Sequence, residues 1–173
     1  LSEDDVLELY KTRASLDSSG NLLTHEIDEY DNLAPNAGFE LDAVGTLNAP
    51  SGWVRQVGAG ATVVEVDGRK CIYFAGDGTY QRIMSDWIPV IPGETLYGRC
   101  WAKRASGSTM YFGLYFNTGT YTYFTMDSPI GSWGATSNDP IVIPDGVTSA
   151  GIWLFNYVGN SGELWIDDVY VSR

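Results

Sequence analysis

The stretch Met110 to Met126, MYFGLYFNTGTYTYFTM, constrains this chain more than any other. Two runs of alternating character flank Asn117-Thr118-Gly119, and a period of two on either side of a glycine-containing turn predicts a β-hairpin. In the first arm Met110, Phe112, Leu114 and Phe116 share one face and Tyr111, Gly113, Tyr115 and Asn117 the other. In the second, Thr122, Phe124 and Met126 oppose Tyr121, Tyr123 and Thr125. A three-residue connection, a type I turn closed by Gly119 in the left-handed region, pairs Phe116 with Thr120, Tyr115 with Tyr121 and Phe112 with Phe124. A two-residue loop would set apolar positions against tyrosines and is rejected. One face therefore offers Met, Phe and Leu to a core, and the other presents Tyr111, Tyr115, Tyr121 and Tyr123, with Gly113 leaving a gap opposite Tyr123. Tyrosine joins a flat apolar ring to a hydroxyl tip, which suits a half-wet surface able to stack the C–H faces of sugar rings. It is also a good strand former on any exposed sheet, and the hairpin alone leaves both readings open.

With 173 residues, 44% of them hydrophobic and 18% charged, and with 20 Gly and 7 Pro, the chain reads as one strand-and-turn domain with a short appendage. A net charge of −12 excludes nucleic acid and anionic membrane as partners and favours a cation. No apolar run approaches the ~18 residues of a membrane span, and the acidic start is not that of a signal peptide. Beginning at Leu1 rather than Met, the sequence reads as an excised or processed fragment. Cys71 is expected to face outward beside the core pair Ile72 and Phe74, and Cys100 inward with Leu96, Gly98 and Ala102, so no disulfide is predicted.

Leu1 to Ala14 predicts the only helix: Ser2 can cap it, Glu3, Asp4 and Asp5 sit at its positive end, and Lys11 and Arg13 sit near the other. A small hairpin around Ser18-Ser19-Gly20-Asn21 follows, then an acidic connector; His25 has no acidic or cysteine partner at ligand spacing. From Asn32 the pattern is of short strands punctuated by Ala-Pro, Asp-Gly, Pro-Gly and Ser-Gly, beginning with a candidate strand from Asn32 to Leu41. The expected architecture is all-β, an antiparallel β-sandwich or jelly roll over residues 32–173, with residues 1–31 as a helix-and-hairpin assembly segment. Phe112, Leu114, Phe116, Phe124, Ile72, Phe74, Ile152 and Ile166 should fill the core, and Trp53, Trp133 and Trp165 should serve packing. The outward face of the strand from Thr95 to Lys103 would add Tyr97, Arg99 and Trp101 to the tyrosine surface.

The order Asn36-Ala37-Gly38-Phe39-Glu40, Ser51-Gly52-Trp53, Asp67-Gly68-Arg69-Lys70, Ile88-Pro89-Val90-Ile91-Pro92-Gly93-Glu94-Thr95, Trp101-Ala102-Lys103, Trp133 and Leu164-Trp165-Ile166-Asp167-Asp168-Val169 resembles the jelly-roll carbohydrate-binding modules attached to xylanases and cellulases. The opening Leu7 to Asp17, followed by Gly20-Asn21-Leu22, resembles a segment that precedes sugar-binding-like end domains of bacteriophage tail proteins. The first resemblance implies a structural calcium held by Gly38, Glu40, the turn from Gly68 to Lys70, and Asp167, with Asp168 as the alternative to its neighbour. Hard oxygen donors of this kind suit calcium, and the ion would tie the first and last strands together. The resemblance also implies that Tyr80, Gln81 and Arg82 line the sugar cleft.

No nucleophile, zinc or paired-carboxylate motif is present to place catalytic groups, so the expectation is not an enzyme but a non-catalytic domain binding an oligosaccharide or cell-surface polysaccharide. The setting implied is a phage tail, with a homo-oligomer, trimeric in a fibre, gaining avidity from several copies. A module of a secreted polysaccharide-degrading enzyme and a structural virion or cell-surface domain with a protein-binding aromatic face are the alternatives.

Overall fold

The computed structural model describes residues 32–58, 60–76, 78–106, 108–124, 130–136, 139–157 and 162–173 in full, and the backbone of residues 12–16, 22–26 and 125. The chain divides into two compact units, Leu1–Asn32 and Leu33–Arg173. In the first, β1 (Thr12–Leu16) and β2 (Leu22–Glu26) form an antiparallel hairpin that pairs Thr12 with Glu26 and Leu16 with Leu22. Residues 12–14, expected at the end of a helix, are therefore strand. A helix of about 14 residues is marginal on its own, and here strand pairing claims its last residues. Residues 1–11 lie outside the described residues.

The second unit is a sandwich of two antiparallel sheets. Its strands are β3 (Trp53–Val57), β4 (Thr62–Val66), β5 (Arg69–Phe74), β6 (Gln81–Ser85), β7 (Ile88–Pro89), β8 (Thr95–Arg104), β9 (Met110–Phe116), β10 (Tyr121–Thr125), β11 (Gly134–Ala135), β12 (Ile141–Val142), β13 (Ser149–Asn156) and β14 (Leu164–Ser172). Sheet one runs β10-β9-β13-β6-β3 with β7 also on β13; sheet two runs β11-β8-β14-β5-β4 with β12 also on β8. Residues 32–41, expected to be a strand, form a chain of turns in which Asn36 and Phe39 take positive φ. This loop is tied to the last strand by bonds from Leu33 N to Val171 O (2.7 Å) and Val169 N to Ala37 O (3.0 Å).

The core lies between the sheets, and alternation decides who enters it. Ile72, Phe74, Phe112, Leu114, Phe124, Ile152 and Ile166 are fully buried there, and Phe116 nearly so. Removing such side chains from water contributes roughly 1.5–3 kcal/mol each. The β9–β10 turn is the expected one: Gly119 has φ +83°, and Phe116 N donates to Thr120 O at 2.8 Å. Tyr115 pairs with Tyr121, but a bulge between Tyr123 and Thr125 sets Phe112 opposite Thr125 rather than Phe124. The Phe112 and Phe124 rings still meet in the core, 4.9 Å apart.

Both cysteines are free and buried. Cys100 is inward as expected. Cys71 lies on the opposite face from Ile72 and Phe74 yet is covered, and burial, followed by the charge of Asp167, pushes its thiol up to about 12.

Candidate functional site

The outer face of sheet one is an aromatic surface. Tyr111 and Tyr115 reach it from β9, Tyr121 and Tyr123 from β10, and Arg82 and Met84 from β6, each alternating with a core residue. The central strand β13 adds Trp153 and Phe155, which sequence reasoning missed. In Gly151-Ile152-Trp153-Leu154-Phe155 nearly every residue is apolar, because the strand is covered on both faces, and such a run gives no alternation to read.

These rings are connected. Phe155 is stacked between Tyr111 (4.6 Å, 5° between planes) and Tyr80 (5.4 Å, 24°). Trp153 meets Tyr115 at 5.0 Å and Tyr121 at 5.4 Å, and Trp87 extends the belt from Tyr115 at 6.1 Å. Tyr157 closes the other end, 5.5 Å from Tyr111 and 6.0 Å from Tyr80. Trp153 and Phe155 are buried as a floor, whereas Tyr121 (55% exposed), Trp87 (48%) and Tyr157 (47%) stand open. Four strands at about 4.8 Å spacing spread the belt over roughly 15 Å, room for several sugar rings. Burial, then the neighbouring tyrosines, push the Tyr123 hydroxyl up to about 12, so it remains a protonated donor at neutral pH.

The gap expected at Gly113 is filled. A β-carbon there would collide with the Thr122 carbonyl oxygen and lie 2.8 Å from Tyr123 Cα and 2.9 Å from its Cδ1, so the missing side chain lets the β10 backbone approach closely and the Tyr123 ring lie against the sheet. Gly151 does the same for Met84, whose Sδ would be 2.6 Å away.

Of the other expected sugar contacts, Tyr80 and Arg82 are on this face. The Arg82 guanidinium lies 4.4 Å from the Trp153 ring and 5.6 Å from that of Tyr80. Gln81 is not: it shares the inward parity of Ile83, is fully buried beside Asn156, and both polar atoms of its side chain lack a hydrogen-bond partner. Tyr97, Arg99 and Trp101 are also elsewhere. They do point away from the core, as alternation with Leu96, Gly98 and Cys100 requires, but β8 belongs to sheet two. Alternation separates inside from outside and cannot tell which sheet a strand joins.

On sheet two, cations and rings interleave. Arg69 lies 5.5 Å from the Trp101 ring and 5.7 Å from that of Trp133, Lys103 lies 5.6 Å from Trp165, and Arg99 lies 5.3 Å from Tyr170. Asp67 accepts from Lys103 Nζ (2.9 Å) and Trp133 Nε1 (3.1 Å), and these bonds, Lys103's first, hold its carboxyl below the usual range. Trp165 packs on Tyr73, and Trp53 is buried beside Phe39 with Nε1 donating to Pro35 O.

Part of the expected calcium set converges at the bulge in the middle of β14. A β-carbon on Gly38 would lie 3.7 Å from Glu40 Cγ and 3.9 Å from Oδ1 of both Asp167 and Asp168, so the absent side chain leaves space among these carboxylates. Arg69 Nη1 bridges Asp167 (2.7 Å) and Asp168 (3.1 Å), and Lys70 Nζ reaches both the carbonyl (3.1 Å) and carboxylate (3.3 Å) of Glu40. Gly68 is at the tip of the β4–β5 turn, facing open space. Burial, then the charge of Asp168, push the Asp167 carboxyl up to about 6. Among the described residues no three Asp, Glu, His or Cys side chains form a ready cluster; the donors that converge are hard oxygens, of the type calcium takes, and protein cations presently neutralise them.

No family model and no curated protein matches the chain. Solved structures do match its fold. The enzymatically active domain of tailspike protein 4 of bacteriophage CBA120 is 17% identical with a TM-score of 0.59, over 83% of this chain and 21% of that one. The module TmCBM61, solved with β-1,4-galactotriose, is 18% identical with a TM-score of 0.57, over 82% of this chain and 98% of that one. A family 16 carbohydrate-binding module is 16% identical with a TM-score of 0.58, over 82% of this chain and all of the other. The chain has the fold shared by these modules and the tailspike domain.

Proposed function

We propose that this is a non-catalytic carbohydrate-binding domain whose site is the outer face of sheet one. The observation that carries the reading is the connected belt of rings with open members at both ends, Trp87 and Tyr121 toward one and Tyr157 at the other. Buried floor rings hold the exposed ones in place, so stacking on a sugar requires little ordering on binding. A shallow face of this kind binds weakly, with a dissociation constant of about micromolar to millimolar. The near-complete coverage of two carbohydrate-binding modules supports the binding role. The tailspike likeness supports a more specific setting, host-surface polysaccharide bound at the tip of a phage tail protein, with Leu1–Asn32 joining copies into an oligomer.

In the same reading, Gly38, Glu40 and Asp167, with Asp168 beside it, hold a calcium ion. It would pin the opening loop to β14 and requires Arg69 to yield its place. The deciding experiment for the site is the double variant Tyr115→Ala, Tyr121→Ala, assayed by titration calorimetry against an oligosaccharide panel and by host-cell binding. Loss of both with the fold retained is expected; undiminished binding would hand the aromatic face to a structural role.

A further inference from the structure

Among the six strands of sheet one the only charged residues are Arg55, on the edge strand β3, and Arg82. No Asp or Glu occurs in any of them, in a chain that has 22 Asp and Glu against 10 Lys and Arg. Arg55 is turned to the sheet margin, where its Nη1 donates to Gly58 O at 3.2 Å. Arg82 is in the middle of the aromatic belt, opposite Phe155 in the β6–β13 ladder.

Arg82 lies over Trp153 and beside Tyr80, so rings occupy the flat surface of its guanidinium and leave its in-plane N–H donors to find acceptors. Its Nε is buried without a hydrogen-bond partner, and so is the nearby indole Nε1 of Trp153. No carboxylate among the described residues pairs with Arg82, whereas Arg69 on the opposite face takes two. A guanidinium is weakly hydrated and always charged, and its donor fork matches a planar carboxylate through two parallel bonds. A neutral hydroxyl could accept one such bond but would leave the charge uncompensated in a partly dry site.

We infer that the aromatic face selects acidic glycan, with Arg82 taking the carboxylate of a uronic or other acidic sugar while flanking rings stack its neighbours. This rests on the carbohydrate-binding reading above and names its substrate class. The overall charge of −12 repels an anionic polymer, but that field is screened over about 8 Å at physiological salt, and the strands of this sheet add no negative charge of their own.

The test is titration calorimetry of the whole chain with hexagalacturonate and a hyaluronan hexasaccharide, each beside its carboxyl-reduced neutral counterpart, and with a sulfated neutral oligosaccharide. At least one acidic probe is expected to bind about tenfold or more tightly than its reduced form. Arg82→Met, which keeps bulk over Trp153, should abolish that preference. Arg82→Lys keeps the charge without the fork, should weaken the preference, and stands in if the methionine variant fails to fold. Neutral probes binding as well as acidic ones would overturn the acidic assignment and leave the carbohydrate reading standing. Equal binding of the sulfated probe would overturn the carboxylate in favour of any oxyanion. Binding of no probe, with host-cell attachment indifferent to Tyr115→Ala, Tyr121→Ala, would remove the carbohydrate reading and this inference together.

Discussion

Both sheets carry aromatic rings and arginine on their outer faces, but they treat the polar groups differently. On sheet two, Arg69 pairs with Asp167 and Asp168, Lys103 with Asp67, and the Trp133 indole with Asp67. On sheet one, Arg82 and Trp153 keep buried nitrogens without partners, and three large rings stand about half exposed. Aromatic content therefore does not distinguish a binding face from a packed one. An indole nitrogen is buried without a partner on each face, Trp153 on sheet one and Trp101 on sheet two, so what distinguishes them is the cation at the centre of the rings: Arg69 is paired with two carboxylates and Arg82 with none among the described residues.

The comparison can be broken most forcefully at the floor. Phe155→Ala should destabilise by about 3–5 kcal/mol, because a buried ring between Tyr111 and Tyr80 is lost, and denaturant unfolding would measure it. A loss below about 1 kcal/mol would mean that the belt is not the packed unit described. Next in size, Tyr115→Ala with Tyr121→Ala should weaken sugar binding roughly 100-fold, about 2.7 kcal/mol, while stability falls by no more than about 2 kcal/mol. Arg69→Ala isolates the opposite face: it leaves the buried Asp167 unpaired, should cost on the order of 1–3 kcal/mol of stability, and should leave sugar affinity unchanged. Calcium bears on that same pair of carboxylates. Saturation at about 100 times its dissociation constant would add about 2.7 kcal/mol, so EDTA should lower Tm, and an unchanged melting curve would remove the metal. Smallest of all, Tyr97→Ala with Trp101→Ala should leave sugar affinity where it was; a large loss would move the site to sheet two.

What the sequence revealed follows from what alternation can encode. Tyr111, Tyr115, Tyr121 and Tyr123 were legible because each alternates with a buried neighbour across a recognisable turn. Trp153 and Phe155 were hidden by their apolar neighbours, and Tyr97, Arg99 and Trp101 were oriented correctly but assigned to the wrong sheet. Gln81 shows the converse limit: a polar residue beside Arg82 invites a ligand role, yet its parity sends it inward. The bulge at Phe124 was unreadable because an extra residue shifts the pairing without changing the composition.

Strand β13 has a consequence for how the molecule opens. Its inward residues Ile152 and Leu154 are core and its outward residues Trp153 and Phe155 are the floor of the aromatic face, and it is bonded to β9 on one side and to β6 and β7 on the other. Exposing its amides requires parting the centre of the sheet rather than fraying a margin, so residues 149–156 should exchange hydrogen only through global unfolding. The floor thus has no private route to disorder: a fluctuation large enough to dismantle it is one that unfolds the domain, and any softness felt by a ligand must come from the rim.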